Sequence, residues 1–272
     1  MYPRLFDLGE ITFFGRSVHA VLHTYGFLLA CGFLIALKVA ASRAKKIGVE
    51  AGMVMDLGLY ILVSALLGAK LLLVVVDWEH ISHDPWSIVR SGGVFYGGLI
   101  AASATAFWFF RHHKLSTWKM MDLLAPSVAL GHGIGRLGCF SAGCCYGRPF
   151  RGAWAVTFTD PYAGDNVGVP LGIPLHPTQL YEAFVEFAIF GLLLYFGSRK
   201  KFDGQIFWSY VALYSTARFV IEFFRGDLQR GLAFGGAVST SQIIAVLLLA
   251  AAGFALVTLS RQREMKPRKR TA

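Results

Sequence analysis

Met53-Val-Met-Asp-Leu-Gly-Leu-Tyr-Ile-Leu-Val-Ser-Ala-Leu-Leu-Gly-Ala-Lys-Leu-Leu-Leu-Val-Val-Val76 runs for 24 residues with two charges, Asp56 and Lys70. A bilayer core of about 30 Å needs roughly 20 predominantly apolar residues to be crossed as a helix, so this stretch reads as a transmembrane span. Working outward, similar stretches lie at about Val18 to Ala41, Gly92 to Phe110, Met121 to Ala142, Thr178 to Gly197, Gly204 to Phe224 and Gly235 to Leu259. The fourth in chain order, Met121 to Ala142, is the weakest by hydropathy. No repeat, heptad or low-complexity linker separates them. The expectation is an all-α integral membrane protein, a bundle of about seven transmembrane helices forming a single domain over residues 1–272.

Composition agrees. The 272 residues are 55% apolar and 15% charged, with a mean hydropathy of +0.54, whereas soluble domains carry roughly 25% charged residues. An ordinary soluble enzyme and a disordered chain are both excluded. Met1 to Ser17 holds Pro3, Arg4, Asp7, Glu10 and Arg16 where a signal peptide needs an apolar core, so the first apolar stretch is expected to be a permanent span.

The net charge of +10 would suggest nucleic acid in a soluble protein; in a membrane protein it encodes orientation. Fifteen of the 26 basic residues follow spans 1, 3, 5 and 7, among them Arg43, Arg111, Lys200 and the tail from Arg261 to Arg270. Seven lie on the alternate side: Arg4, Arg16, Arg90, Arg148, Arg151, Arg225 and Arg230. The positive-inside rule then puts the N-terminus outside and the C-terminus, with its basic tail, in the cytoplasm. The longest outer connection, about Gly147 to Pro177, is rich in Gly, Pro, Asp and Asn and suits an extracytoplasmic cap of turns and short strands.

The four remaining basic residues, Lys38, Lys70, Arg136 and Arg218, fall within spans. Arginine inside a span costs at least about 2.5–3.5 kcal/mol on insertion scales, so it should face a partner or a polar cavity. Arg136 sits in Gly131-His-Gly-Ile-Gly-Arg136-Leu-Gly-Cys139-Phe-Ser-Ala-Gly-Cys144-Cys145-Tyr-Gly147, with six glycines in 17 positions. Arg218, Glu222 and Arg225 share one helical face, as do Gln179, Glu182 and Glu186 on the preceding span, and the two faces are expected to meet. Buried ion pairs that only fix packing are the alternative, above all for Glu186 with Arg225. Paired arginines at membrane depth suit an anionic lipid headgroup, because the guanidinium fork matches phosphate oxygens.

Five segments resemble the bacterial prolipoprotein diacylglyceryl transferases: His23-Thr-Tyr25-Gly26; Gly92-Gly-Val-Phe-Tyr96-Gly97-Gly98-Leu-Ile; Ala125-Pro126 through Gly135-Arg136-Leu-Gly138 to Gly147-Arg148; His176-Pro-Thr-Gln179-Leu-Tyr181-Glu182; and Ala217-Arg218-Phe-Val-Ile-Glu222-Phe-Phe-Arg225. They occur in the family's order over nearly the whole chain. The resemblance implies a seven-helix bacterial inner-membrane enzyme of lipoprotein biosynthesis. It would move the diacylglyceryl group of phosphatidylglycerol onto the lipobox cysteine of a preprolipoprotein, releasing glycerol phosphate. By resemblance, Arg136 binds phosphatidylglycerol with Gly97, Gly98, Gly135, Gly138 and Gln179 nearby, while Arg218, Glu222 and Tyr25 belong to the catalytic set, to which Tyr96, His176 and Glu182 are added as candidates. The implied partners are phosphatidylglycerol, the lipobox peptide and membrane lipids, with no nucleic acid and no cofactor.

The chain departs from the family's usual residues at several positions. Tyr96 stands where histidine is usual, Cys139 and Ala142 where asparagine is, Cys144 where glutamate is, and the basic residue of span 2 is Lys70. Tyrosine is a poor base at neutral pH, so thiol deprotonation would fall to another group such as His132, His176, Glu182 or a tyrosinate. A non-catalytic lipid-binding or lipid-moving protein of the same fold, or a paralogue with another acceptor, is the competing reading. Cys139, Cys144 and Cys145 form a redox or packing cluster; their spacing fits no common zinc pattern, and no metal is expected.

Overall fold

A computed structural model describes residues 2–13, 16–227, 231–233 and 238–265. Arg230 and the tail from Lys266 to Arg270 lie outside the described residues. The chain opens with an antiparallel hairpin, β1 (Arg4–Phe13) and β2 (Arg16–His23). Helices α1 (Thr24–Ala44), α2 (Ala51–Val76), α3 (Trp78–His83), α4 (Ser87–Arg90), α5 (Phe95–His112) and α6 (Thr117–Ala142) follow. Strand β3 (Val156–Thr157), helix α7 (Pro161–Val167) and strand β4 (Pro174–Leu175) make the connection to α8 (Thr178–Gly197) and α9 (Gln205–Glu222). Strands β5 (Leu232–Ala233) and β6 (Val238–Ser239) precede α10 (Thr240–Met265).

Among the described residues, seven helices of 18 residues or more overlap the seven expected stretches, with corrections at the first and the last: α10 begins at Thr240, after β6, where the stretch was expected from Gly235. Residues 18–23 belong to β2, and α1 begins only at Thr24, whose amide bonds to the Pro3 carbonyl at 3.0 Å. Polar Ser17, His19 and His23 interleaved with apolar Val18, Ala20 and Leu22 give a near two-residue alternation that favours a strand.

By length and composition, α1 with the turn that follows it (Thr24–Ile47), α2, α8 and α10 are apolar enough to cross a membrane. The polar residues carried by α6 and α9, His132, Arg136, Arg218 and Glu222 among them, lower the mean hydropathy of those two helices. Exposed large side chains are apolar on these helices: Leu59, Leu66 and Leu71 on α2, Phe184 on α8, Leu247 and Phe254 on α10. Such an apolar exterior inverts the pattern of soluble proteins and suits hydrocarbon as the solvent.

The chain divides into two compact units, Leu37–Leu123 and Met1–Ala36 with Leu124–Ala272. In the first, α2 packs on α5 through small residues. A Cβ on Gly97 would lie 2.3 Å from the Gly68 carbonyl oxygen, and one on Gly68 would lie 2.5 Å from the Gly97 oxygen, so the backbones meet where only glycine fits. Gly97→Leu is therefore expected to destabilise the protein by about 1–3 kcal/mol or more, read as a lower unfolding temperature in detergent. Lys70 spends its charge in the same unit, donating to the carbonyls of Ile88 and Ser91, each at 2.6 Å. Pro126 removes one amide from α6, and Arg43 Nη1 donates to the nearby Leu123 carbonyl at 3.3 Å.

In the second unit, Ala125 and Ala129 of α6, Ile189 and Leu193 of α8 and Ile206 of α9 form a buried core. A Cβ on Gly133 would come within 2.7 Å of the Phe187 ring. That close approach of α6 to α8 brings Arg136 within reach of Glu182. The connection between α6 and α8 has its own core, Phe158, Ala163, Val169 and Leu175, backed by Phe140 and Tyr146. The hairpin touches it where His23 Nε2 lies 2.7 Å from the Tyr162 hydroxyl.

Candidate functional site

Within the second unit, α8, α9 and the part of α6 beyond Leu123 each present a polar stripe, and the stripes meet. Glu182, 3% exposed, stands between the two arginines: its Oε1 accepts from Arg136 Nη2 at 2.8 Å, and its Oε2 lies 3.5 Å from Arg218 Nη1. Arg218 Nη2 also pairs with Glu222 one turn on, at 2.9 Å, and donates to Ser241 Oγ of α10 at 3.1 Å. One carboxylate thus spans two guanidinium groups, each oxygen facing one of them.

His132 extends the cluster. Its Nδ1 lies 2.6 Å from Oε1 of the fully buried Glu186, while Nε2 accepts from Arg136 Nε at 3.3 Å and lies 3.6 Å from Glu182. Nε2 thus faces the Arg136 guanidinium and Nδ1 faces Glu186, at opposite sides of the ring. Tyr214 packs edge-on to His132 with ring centres 5.3 Å apart, and its hydroxyl donates to Glu182 Oε1 at 3.4 Å. Tyr210, stacked on Tyr214, continues the stripe. Sequence reasoning missed Tyr210 and Tyr214, although Tyr210, Tyr214, Arg218 and Glu222 recur every four residues on one face of α9.

The buried pairing considered for Glu186 and Arg225 is not made. Glu186 is held by His132, and Arg225, beyond the end of α9, pairs with Asp227, Nε donating to Oδ1 at 2.8 Å. Two residues apart in the chain, Asp227 reaches the guanidinium without crossing the helix packing.

Among the other expected site residues, Tyr25 packs against Gly138, where a Cβ would lie 3.2 Å from its Cδ2; Gly135 has only Leu29 nearby, at 3.9 Å. Gln179, buried at the start of α8, donates from Nε2 to the Cys144 carbonyl at 2.7 Å. Tyr96, Gly97 and Gly98 lie in the other unit, where Tyr96 is exposed and the glycines pack on α2. All four cysteines are free thiols, and no disulfide joins members of the Cys139, Cys144 and Cys145 cluster.

His176 sits in the connection, stacked on Phe150 with ring centres 3.9 Å apart and Nδ1 3.0 Å from the Tyr181 hydroxyl. Burial, aided by the nearby Arg148, pulls its pKa below the ordinary value. The unfolded chain then binds a proton that the folded one resists, so stability is full above the usual histidine pKa of about 6.5 and falls as the pH drops below it. The unfolding temperature in detergent should decline between pH 7.5 and 5, and His176→Gln should flatten that decline.

Apolar helices long enough to cross a membrane, enclosing a cluster of two arginines, three glutamates and a histidine, define an integral membrane protein with a polar interior site. The family model for prolipoprotein diacylglyceryl transferase matches residues 14–258. The chain is similar to the phosphatidylglycerol–prolipoprotein diacylglyceryl transferase of Clostridium tetani, 34% identical over 92% of this chain and 94% of that protein. It is also similar to that of Finegoldia magna, 35% identical over 84% and 87%, and to the enzyme numbered 2 of Clostridium perfringens, 32% identical over 97% of each. The chain belongs to the prolipoprotein diacylglyceryl transferase family.

Proposed function

We propose that this protein transfers the diacylglyceryl group of phosphatidylglycerol to the lipobox cysteine of preprolipoproteins in the bacterial inner membrane, with its N-terminus outside and its C-terminus in the cytoplasm. The observation that carries the reading is the Glu182 carboxylate held between Arg136 and Arg218. Two guanidinium groups that grip both oxygens of a carboxylate are spaced to grip two oxygens of a phosphodiester, and each has five N–H donors to offer.

In the reaction the thiol sulfur attacks the glycerol carbon bonded to the phosphate ester. The carbon–sulfur bond forms, the carbon–oxygen bond breaks, and glycerol phosphate leaves with the electron pair. Charge grows on the departing phosphate, so donors fixed beside it stabilise the transition state more than the ground state. The thiol proton needs an acceptor, since the thiolate is the nucleophile.

His132 fills that role, with Glu186 as its positioning residue. Nδ1 is tethered to a buried carboxylate and Nε2 points at the arginines, which is the logic of a base oriented by an acid behind it. An imidazolium formed when His132 takes the thiol proton lies beside the Glu182 and Glu186 carboxyl groups, which favour its charge.

Purified protein given phosphatidylglycerol and a lipobox peptide should add one diacylglyceryl mass to the peptide cysteine. An unmodified peptide with phosphatidylglycerol intact counts against transfer, and lipid consumption without peptide modification points to another acceptor.

A further inference from the structure

Cys139, Cys144 and Cys145 are not used by the transfer chemistry, yet they are gathered on one side of the site. Their three sulfurs all lie within 4.8 Å of one another, and all three residues are half-buried free thiols. Neighbouring cysteines in extended backbone point to opposite sides. Here Cys145 adopts φ +59°, the left-handed region that non-glycine residues rarely enter. That turn brings its sulfur round to join those of Cys144 and Cys139.

The loop is also fixed from behind. Thr178 Oγ1 donates to the Cys145 carbonyl and Gln179 Nε2 to the Cys144 carbonyl, both at 2.7 Å, so two successive peptide groups are clamped to the start of α8. Cys144 Sγ points at the Cys139 carbonyl, 3.7 Å away. Cys139 is held by α6, three residues beyond Arg136.

We infer that Cys139, Cys144 and Cys145 form a three-thiolate binding site for a thiophilic divalent cation of the zinc or cadmium kind. Zinc–sulfur bonds of about 2.3 Å place sulfurs about 3.8 Å apart in a tetrahedral site, so small side-chain rotations close the triad around an ion. Soft thiolate ligands select such cations over magnesium or calcium. On binding, three sulfur–metal bonds form, each ligating thiol gives its proton to solvent, and the metal keeps its oxidation state. The three thiolates leave the complex one charge negative, with Arg136 one helical turn from Cys139. The inference is independent of the transferase reading, because its test measures binding alone.

The experiment is a Cd²⁺ titration of the full-length protein in detergent, metal-stripped and kept reduced with a phosphine, following the thiolate-to-cadmium charge-transfer absorbance. One Cd²⁺ per chain is expected, displaced by Zn²⁺ and accompanied by proton release. Cys145→Gly, which suits the left-handed backbone, and Cys139→Asn, the residue usual in the family, should each weaken binding at least tenfold while the protein stays monodisperse on gel filtration. Cys31→Ser should bind as the parent does. Absence of the absorbance in the parent, a loss below tenfold in either monodisperse variant, or loss on replacing Cys31 overturns the site.

Discussion

Arg136→Ala should reduce diacylglyceryl transfer by about 10²–10³-fold or more, and Arg218→Ala should do the same, measured by mass spectrometry of a lipobox peptide. The two guanidinium groups face the two oxygens of one buried carboxylate, so each supplies what the other cannot. Removing one partner of a buried pair also leaves charge uncompensated, which costs about 3–5 kcal/mol of stability. The variant could therefore fail through folding. Arg136→Ala combined with Glu182→Gln removes that charge together with its partner; the double variant should fold and remain inactive. Arg218→Lys separates charge from geometry. A lysine keeps the charge but cannot contact Glu182, Glu222 and Ser241 at once, so activity should stay low. Full turnover in either alanine variant would defeat the proposed phosphate site.

The second large effect concerns the base. His132→Gln keeps a polar side chain of similar size but cannot take up the thiol proton, and turnover should fall by about 10²–10⁴-fold at neutral pH. If the histidine serves only to pair Glu186, the loss should be small and independent of pH. If it is the base, the residual activity should rise with pH as hydroxide or the thiol's own ionisation takes over. Glu186→Gln distinguishes the positioning role: kcat should fall less than in His132→Gln, and the alkaline shift of the rate profile should be milder. A profile unchanged in both variants would pass the base to His176 or Glu182.

Much of this site is legible in the amino-acid sequence itself. The helices were legible because lipid imposes a strong rule, about 20 apolar residues per crossing, that needs no knowledge of neighbours. Arg136, Arg218 and Glu222 stood out because charge within such stretches is costly and rare. Three-residue and four-residue spacing then placed Gln179, Glu182 and Glu186 on one face and Arg218 and Glu222 on another. The start of α1 is hard to place from the chain because the strand-like alternation over residues 17–23 is short and is interrupted by Val21, so the pairing with β1 decides it.

Partner choice was beyond such reasoning. Periodicity says which face a side chain occupies, while distance depends on how closely two helices approach. That approach is set by Gly133 against Phe187, which lets Glu182 reach across to Arg136, and Glu186 find His132 in place of Arg225. The cysteine spacing likewise fits no common zinc pattern, yet the left-handed backbone at Cys145 turns the three sulfurs to one side. Burial cost is a property of a residue in its solvent and is written in the chain, so membrane residence and the conspicuous charges were determined there. Which charges neutralise one another, and which thiols converge, is a matter of distances between elements far apart in sequence, and those exist only once the helices have packed.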